Sequence, residues 1–183
     1  MAPLPIRIFG DPVLRERAAE VTDFDDTLRR LAADMMETMR EAQGLGLAAN
    51  QVGILKRLFT CDVRGEDDDE ALSGAFVNPE ILERSAEAQE GEEGCLSFPG
   101  LFYSTVRPLR VRLRARDLSG QVVETSGQGL LARVLLHEVD HLDGILFIDH
   151  LARHDRKEAM RRIRAGELER PPVRRRDDPA PVA

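Results

Sequence analysis

Two histidines stand four residues apart in the apolar stretch LLHEVDHL, with a glutamate directly after the first: His137, Glu138 and His141. On an α-helix, residues at this spacing lie nearly one above the other, so both imidazoles can reach one cation. Glu138 is placed to move protons to and from a water at an open coordination position rather than to share the ion. The five-letter pattern by itself leaves a pair of satisfied helical histidines equally open. The surrounding helix argues for the metal, because from Gly129 to Leu142 nearly every face is apolar and two imidazoles there need partners inside the protein. Asp140 and Asp143 are near enough in sequence to accept an imidazole N–H from behind, and helix-end polarity accounts for them as well.

A catalytic metal usually has three protein ligands and one position left for water or substrate. His150 and His154 follow the end of the helix, miss the metzincin spacing and read as surface residues. Glu158 and Glu167, which could complete a thermolysin-like set, lie in a charged segment unsuited to a core. The third ligand is therefore expected upstream. Cys95, in EEGCLSFPG, is the candidate, as a thiolate in a tight glycine-bounded loop. Cys61, in the apolar run RLFTCDV, reads instead as a buried structural thiol.

Three motifs now stand in order: GLGLAANQ (Gly44 to Gln51), EGCLS (Glu93 to Ser97) and HEVDH (His137 to His141). In kind, order and separation they resemble the peptide deformylases, and the likeness extends over roughly residues 4–165. The resemblance implies a divalent metal on Cys95, His137 and His141, with iron(II) the physiological ion and zinc, nickel or cobalt as substitutes. It implies that Glu138 transfers protons, and that the Gln51 side-chain amide and the Leu96 backbone N–H stabilise a developing oxyanion. It also implies that main chain around Leu45, Gly46 and Gly94 pairs with an extended N-formylmethionyl peptide, from which formate is released. Independently of any family, Gly44, Gly46 and Gly94 let a backbone approach a ligand closely, or simply turn. Leu130 and Val134, seven and three residues before His137, offer an apolar surface on the metal-bearing face that suits a methionine side chain, or the core.

The elements that must position these groups follow from periodicity. Leu28, Leu31, Ala32, Met35 and Met39 predict a long helix over Phe24 to Ala42, with Asp23, Asp25 and Asp26 at its positive end. Strands are predicted at Ile54 to Val63, Ala75 to Val77 and Ile81 to Ser85, the last two separated by Asn78 and Pro79. The run RVRLRAR places Val111, Leu113 and Ala115 on one sheet face and its arginines on a solvated outer face. A turn at Asp117 to Gly120 leads to a strand at Gln121 to Thr125, then to the metal-bearing helix Gly129 to Leu142, stopped by Gly144. A strand-like ILFI and a charged helix over Ala152 to Ile163 follow, and Gly65 to Glu70 reads as an exposed acidic loop. The fold class is α+β: short mixed or antiparallel strands around a buried C-terminal metal-binding helix, plus a long N-terminal helix.

A chain of 183 residues suits one domain, assigned to residues 1–165, with residues 166–183 as a proline-bearing, charge-blocked, disordered tail. The net charge of −7 argues against general nucleic-acid affinity. Two cysteines are too few for a disulfide scaffold, no secretory signal opens the chain, and no run reaches the roughly 18 apolar residues of a membrane helix. A cytoplasmic enzyme acting on N-formylmethionyl peptides near the ribosomal exit tunnel is the leading expectation, with no membrane and no specific nucleic-acid sequence as partner. A zinc endopeptidase and a non-catalytic ribosome-binding module are the alternatives.

Overall fold

Capping and alternation explain where the elements begin and which faces they bury. The computed structural model describes residues 3–64 and 71–168. The acidic insert Gly65 to Glu70 and most of the C-terminal tail, from Glu169 on, lie outside the described residues. The first long helix, α1 (Asp26–Glu41), is slightly shorter than predicted, because Asp25 is extended and its carboxylate caps the Leu28 N–H. An N-terminal segment with a 3-10 turn at Pro12–Arg15 precedes it.

Five strands form one wholly antiparallel sheet: β1 (Gly46–Ala48), β2 (Leu58–Val63), β3 (Leu72–Arg84), β6 (Arg110–Arg116) and β7 (Val122–Gln128), in the order β1-β2-β3-β6-β7. A separate antiparallel hairpin pairs β4 (Ala88–Gly94) with β5 (Phe102–Pro108). Helix α2 (Gly129–Leu142) has the predicted bounds, and α3 spans Arg153–Arg164.

β2 shows how the layers stack. Phe59, Cys61 and Val63 pack with Val111, Leu113 and Ala115 against Leu131, Leu135, Val139 and Leu142 of α2. Leu58 instead joins Leu47 and Val77 in a cluster with Leu28, Ala32, Met35 and Met39 of α1. Alternate residues of a strand face opposite sides, so the two helices cover opposite faces of the sheet. Each large side chain fully buried in these layers contributes roughly 1.5–3 kcal/mol. A third cluster, built on Phe98, Leu101 and Phe147, closes the end of the molecule that holds Cys95.

Several boundaries differ from the periodic reading, each for a local reason. β3 is one continuous strand, because Asn78 takes a left-handed backbone (φ 50°) in a bulge instead of ending it. The Asn78 side chain accepts the Val21 N–H at 2.8 Å and donates to the Val21 carbonyl at 2.9 Å, which secures that bulge. β2 begins at Leu58 because the Ile54 N–H turns back to the Ala49 carbonyl. ILFI is no strand but leads into a 3-10 turn at Phe147–Asp149, where the Asp149 carboxylate accepts the Leu146 N–H. β4 was not anticipated, since AQEGEEG carries no apolar alternation. Three of the four outward arginines are neutralised by glutamates, Arg110 by Glu87, Arg112 by Glu83 and Glu124, and Arg114 by Glu124, while Arg116 donates to the Gly120 carbonyl. α2 ends as predicted at Gly144 (φ 74°), where a side chain would also overlap the Arg15 carbonyl. No helix among the described residues is long and apolar enough to cross a membrane.

Candidate metal centre and cleft

The helix spacing does what it implied. The Nε2 atoms of His137 and His141 stand 3.2 Å apart, and Cys95 Sγ lies 3.2 Å from His141 Nε2. The three donor atoms all fall within 4.8 Å of one another, with both imidazoles buried. Cys95 is delivered by the turn that follows β4, where the Phe98 N–H closes on the Cys95 carbonyl. Asn50 donates its side-chain amide to the His141 carbonyl, tying the loop after β1 to the end of α2.

This arrangement fits a divalent metal on its own chemistry. Glu93 Oε1 lies 2.6 Å from His137 Nδ1, which fixes the proton on that nitrogen and turns the Nε2 lone pair toward the cluster. Burial and the adjacent His137 hold His141 well below its ordinary pKa, while burial works against charging His137 but Cys95 and Glu93 outweigh it. Positive charge is thus favoured between the rings but fits only once. A single cation accepting Sγ and both nitrogens satisfies that condition.

The support behind the ligands was not foreseen. Asp140 and Asp143 do not touch the ligand imidazoles: Asp140 accepts from Arg107 at 2.5 Å and pairs with His150 at 2.8 Å, and Asp143 pairs with Arg57 at 2.7 Å. Asp140 directly precedes His141 and so points about 100° away from it around the helix, while Asp143 is the C-cap beyond the last helical residue. Glu93 is the true acceptor, and Arg107, Arg133 and Thr105 all donate to its carboxylate. Burial pushes the Glu93 carboxyl up, but the His137 and Arg107 hydrogen bonds prevail and hold it well below the usual range. Its place in EGCLS was the available signal; its partners on β5 and α2 are long-range. His150 and His154 are both exposed, as expected, and His150 is in addition anchored to this network.

A cleft of about 500 Å³ opens over the cluster, lined among others by Leu45, Gly46, Gln51, Gly94, Cys95, Leu96, Leu130, Val134, His137 and Glu138. Every sequence-predicted site residue except His141 therefore borders it, and His141 lies directly behind. Leu130 is half exposed at the mouth, whereas Val134 is buried and also packs in the core. Gln51 is oriented at both ends of its amide: Oε1 accepts the Ala48 N–H at 2.8 Å, and Nε2 reaches Ser97 Oγ at 3.2 Å and Cys95 Sγ at 3.5 Å. The amide thus caps a loop and presents a donor beside the cysteine. Glu138 is buried, its Oε2 has no hydrogen-bond partner among the described residues, and burial pushes its carboxyl up to about 7. β1 ends the five-stranded sheet and β4 pairs on one side only, so the cleft is bordered by two strand edges able to bond an extended chain. Cys61 stands apart from all this, fully buried, with its thiol pushed up by burial to about 12.

Residues 3–157 match the polypeptide deformylase family model. A peptide deformylase of Acidothermus cellulolyticus is 49% identical over 182 residues, covering 100% of this chain and 97% of the relative. The crystal structure of peptide deformylase from Ehrlichia chaffeensis superposes with a TM-score of 0.84 at 37% identity, covering 91% of this chain and 97% of that one. For the enzyme from Thermotoga maritima the TM-score is 0.77 at 45% identity, with 83% and 99% covered.

Proposed function

This chain belongs to the polypeptide deformylase family, and from that premise we infer how its own residues carry out the reaction. It is a metal-dependent hydrolase that removes the N-formyl group from N-formylmethionyl nascent peptides and releases formate.

Cys95, His137 and His141 hold the ion, Glu93 orients His137, and Arg107 and Arg133 balance the charge of Glu93. When bound there, a divalent ion supplies Lewis acidity for the formyl carbonyl and lowers the pKa of water. Glu138 takes the proton from the attacking water as oxygen bonds to the formyl carbon, and returns it to the amide nitrogen as the C–N bond breaks. The free amine and formate result. Gln51 Nε2 and the Leu96 N–H donate to the oxygen on which charge develops, in a buried setting where such bonds are strong. Leu45 and Gly46 on one side and Gly94 on the other bond the extended peptide, and Leu130 and Val134 receive the methionine side chain.

The observation that carries this reading is the convergence of one thiol and two imidazole nitrogens at a cleft also lined by a buried carboxylate, one oxygen of which has no hydrogen-bond partner among the described residues. It favours a deformylase over an endopeptidase, whose third ligand would come from downstream. The donor set alone admits iron(II), zinc, nickel or cobalt. We assign iron(II), and place the enzyme in the cytoplasm, acting near the ribosomal exit, with residues 1–165 as its single catalytic domain. Anaerobic turnover of formyl-Met-Ala-Ser beside its acetylated analogue tests the activity, with formate expected from the first alone. Metal analysis of anaerobically purified protein tests the ion, and loss of that metal in Cys95→Ala tests the ligand. Turnover of both peptides, or full metal retention in Cys95→Ala, would overturn the corresponding assignment.

A further inference from the structure

One imidazole near the metal ligands has no part in the roles above. His150 closes the 3-10 turn at Phe147–Asp149, its N–H bonded to the Phe147 carbonyl at 3.0 Å. The turn is itself fixed, since Asp149 accepts the Leu146 N–H and pairs with Arg15. The His150 side chain is thus delivered to one place at the surface, 34% exposed, with Nε2 at 2.8 Å from Asp140 Oδ2. Arg107 Nη1 reaches the same oxygen at 2.5 Å and stands 3.2 Å from the imidazole nitrogen. Burial pushes the Asp140 carboxyl up, but the His150 hydrogen bond and Arg107 prevail and hold it below the ordinary 3.8, so it is ionised at neutral pH. A carboxylate only accepts and a guanidinium only donates, so the Nε2 proton points at Asp140 and two donors converge on one oxygen.

From that oxygen a line of charged contacts runs inward to the metal ligands. Arg107 is buried, and its guanidinium is divided between two carboxylates: Nη1 serves Asp140, whereas Nε and Nη2 serve Glu93 at 3.0 and 2.6 Å. Glu93 Oε1 therefore accepts from Arg107 Nη2 and from His137 Nδ1, each at 2.6 Å. The guanidinium is a rigid plane, so the place where Asp140 holds Nη1 fixes the angle at which the other two nitrogens meet Glu93. Asp140 is nearer the surface than Arg107, its side chain 15% exposed against 4%. A carboxylate held by one buried donor and open to water on its other side has further orientations available, and the second donor from His150 removes them. Resting on the metal-centre reading above, we propose that His150 is a positioning residue for the metal site. By pinning Asp140 it holds Arg107 and, through Glu93, keeps the His137 ring turned with Nε2 toward the ion. A surface side chain that does not line the cleft then helps to set how tightly the ion is bound.

Two readouts test this: zinc affinity by competition with a chelator, and the NMR signal of the His137 Nδ1–H in the zinc-loaded protein. They are taken on wild type, His150→Phe, His150→Gln, Asp140→Asn and the double variant of Asp140→Asn with His150→Phe. His150→Phe keeps a ring and removes the donor, and is expected to lower zinc affinity by about threefold to tenfold and to move the His137 signal. His150→Gln, whose amide nitrogen can stand close to the place of Nε2, should restore both. In the Asp140→Asn background the phenylalanine should add little, because the link it breaks is already weakened. Unchanged affinity and signal in His150→Phe overturn the proposal, and so does a lower affinity with an unmoved signal, which would mean a general loosening of the fold. Failure of glutamine to restore either readout, or an undiminished loss in the Asp140→Asn background, overturns it as well. A wild type that takes up no zinc would overturn the metal-centre reading and this proposal with it, whereas zinc uptake indifferent to His150 overturns the proposal alone.

Discussion

Glu93 Oε1 lies 2.6 Å from His137 Nδ1, joining the strand that leads into Cys95 to the helix that carries both imidazoles. The carboxylate is buried and also serves Arg107 and Arg133, so it holds a ligand in orientation while neutralising two interior cations. Replacing Glu93 with glutamine preserves the shape but leaves Arg133 without a counter-charge and Arg107 with Asp140 alone. Breaking a buried ionic group in this way costs about 3–5 kcal/mol. A chemical denaturation midpoint well below wild type is expected, with metal affinity reduced about 10- to 100-fold as measured by competition with a chelator. Unchanged affinity would show that His137 is oriented by its helix alone.

Glu138 should be separable from the metal. Its carboxylate is not among the three converging donors, yet it lines the same cleft with an oxygen that has no hydrogen-bond partner among the described residues. Glu138→Gln is expected to retain a full equivalent of metal while kcat falls by about 10²- to 10⁴-fold, the usual worth of a positioned proton carrier. Metal content and single-turnover rate, measured on the same sample, check both halves.

Gln51 has two tasks, and its replacement should show both. Removing the Oε1 that accepts the buried Ala48 N–H leaves that donor unsatisfied, at about 1–3 kcal/mol of stability. Removing the Nε2 donor should lower kcat by about 10²- to 10³-fold with little change in KM. A loss confined to KM would assign Gln51 to substrate binding instead of oxyanion stabilisation.

The chemistry was more legible in the sequence than the architecture around it. His137 and His141 converge because helical spacing is a local property, and an apolar helix announces its own burial. Cys95 could be inferred because the alternatives downstream were visibly poor. What stayed hidden was long-range: Glu93 meets Arg107 and Arg133 across the hairpin and α2, contacts for which a single chain carries no periodic signature. β4 was hidden because its residues are mostly acidic or glycine, and the bulge at Asn78 because its support comes from Val21, 57 residues earlier. Asp140 and Asp143 were misleading because nearness in sequence is not nearness around a helix.

Acid sensitivity should include Asp149, which ties the chain after α2 to the N-terminal 3-10 turn through Arg15. Burial raises its pKa, but Arg15 and the Leu146 N–H more than offset this, leaving it below the ordinary 3.8. A lowered folded-state pKa means stability that is present above 3.8 and lost as pH falls through the folded value. The melting temperature of Asp149→Asn should therefore lie below wild type at neutral pH, with the gap closing at pH 3 and below. A gap that stayed constant with pH would mean that the loss does not come from the charge of Asp149.

Gly46 gives the sharpest test of how closely the cleft is drawn around the proton carrier. Its backbone is an ordinary strand of β1, without the positive φ that would make alanine costly by itself. A Cβ there would nevertheless overlap Oε1, Cδ and Cγ of Glu138, which is buried and has little room to retreat. In Gly46→Ala the carboxylate must therefore leave its place in the cleft, while no atom of Cys95, His137 or His141 is among those the new Cβ would meet. A displacement of about 1 Å is enough to cost on the order of 10²-fold in rate. The expected result is a protein that folds and holds its metal but turns over formyl-Met-Ala-Ser about as poorly as Glu138→Gln. If Gly46→Ala kept wild-type kcat, the present position of Glu138 would not be the one it occupies during the reaction.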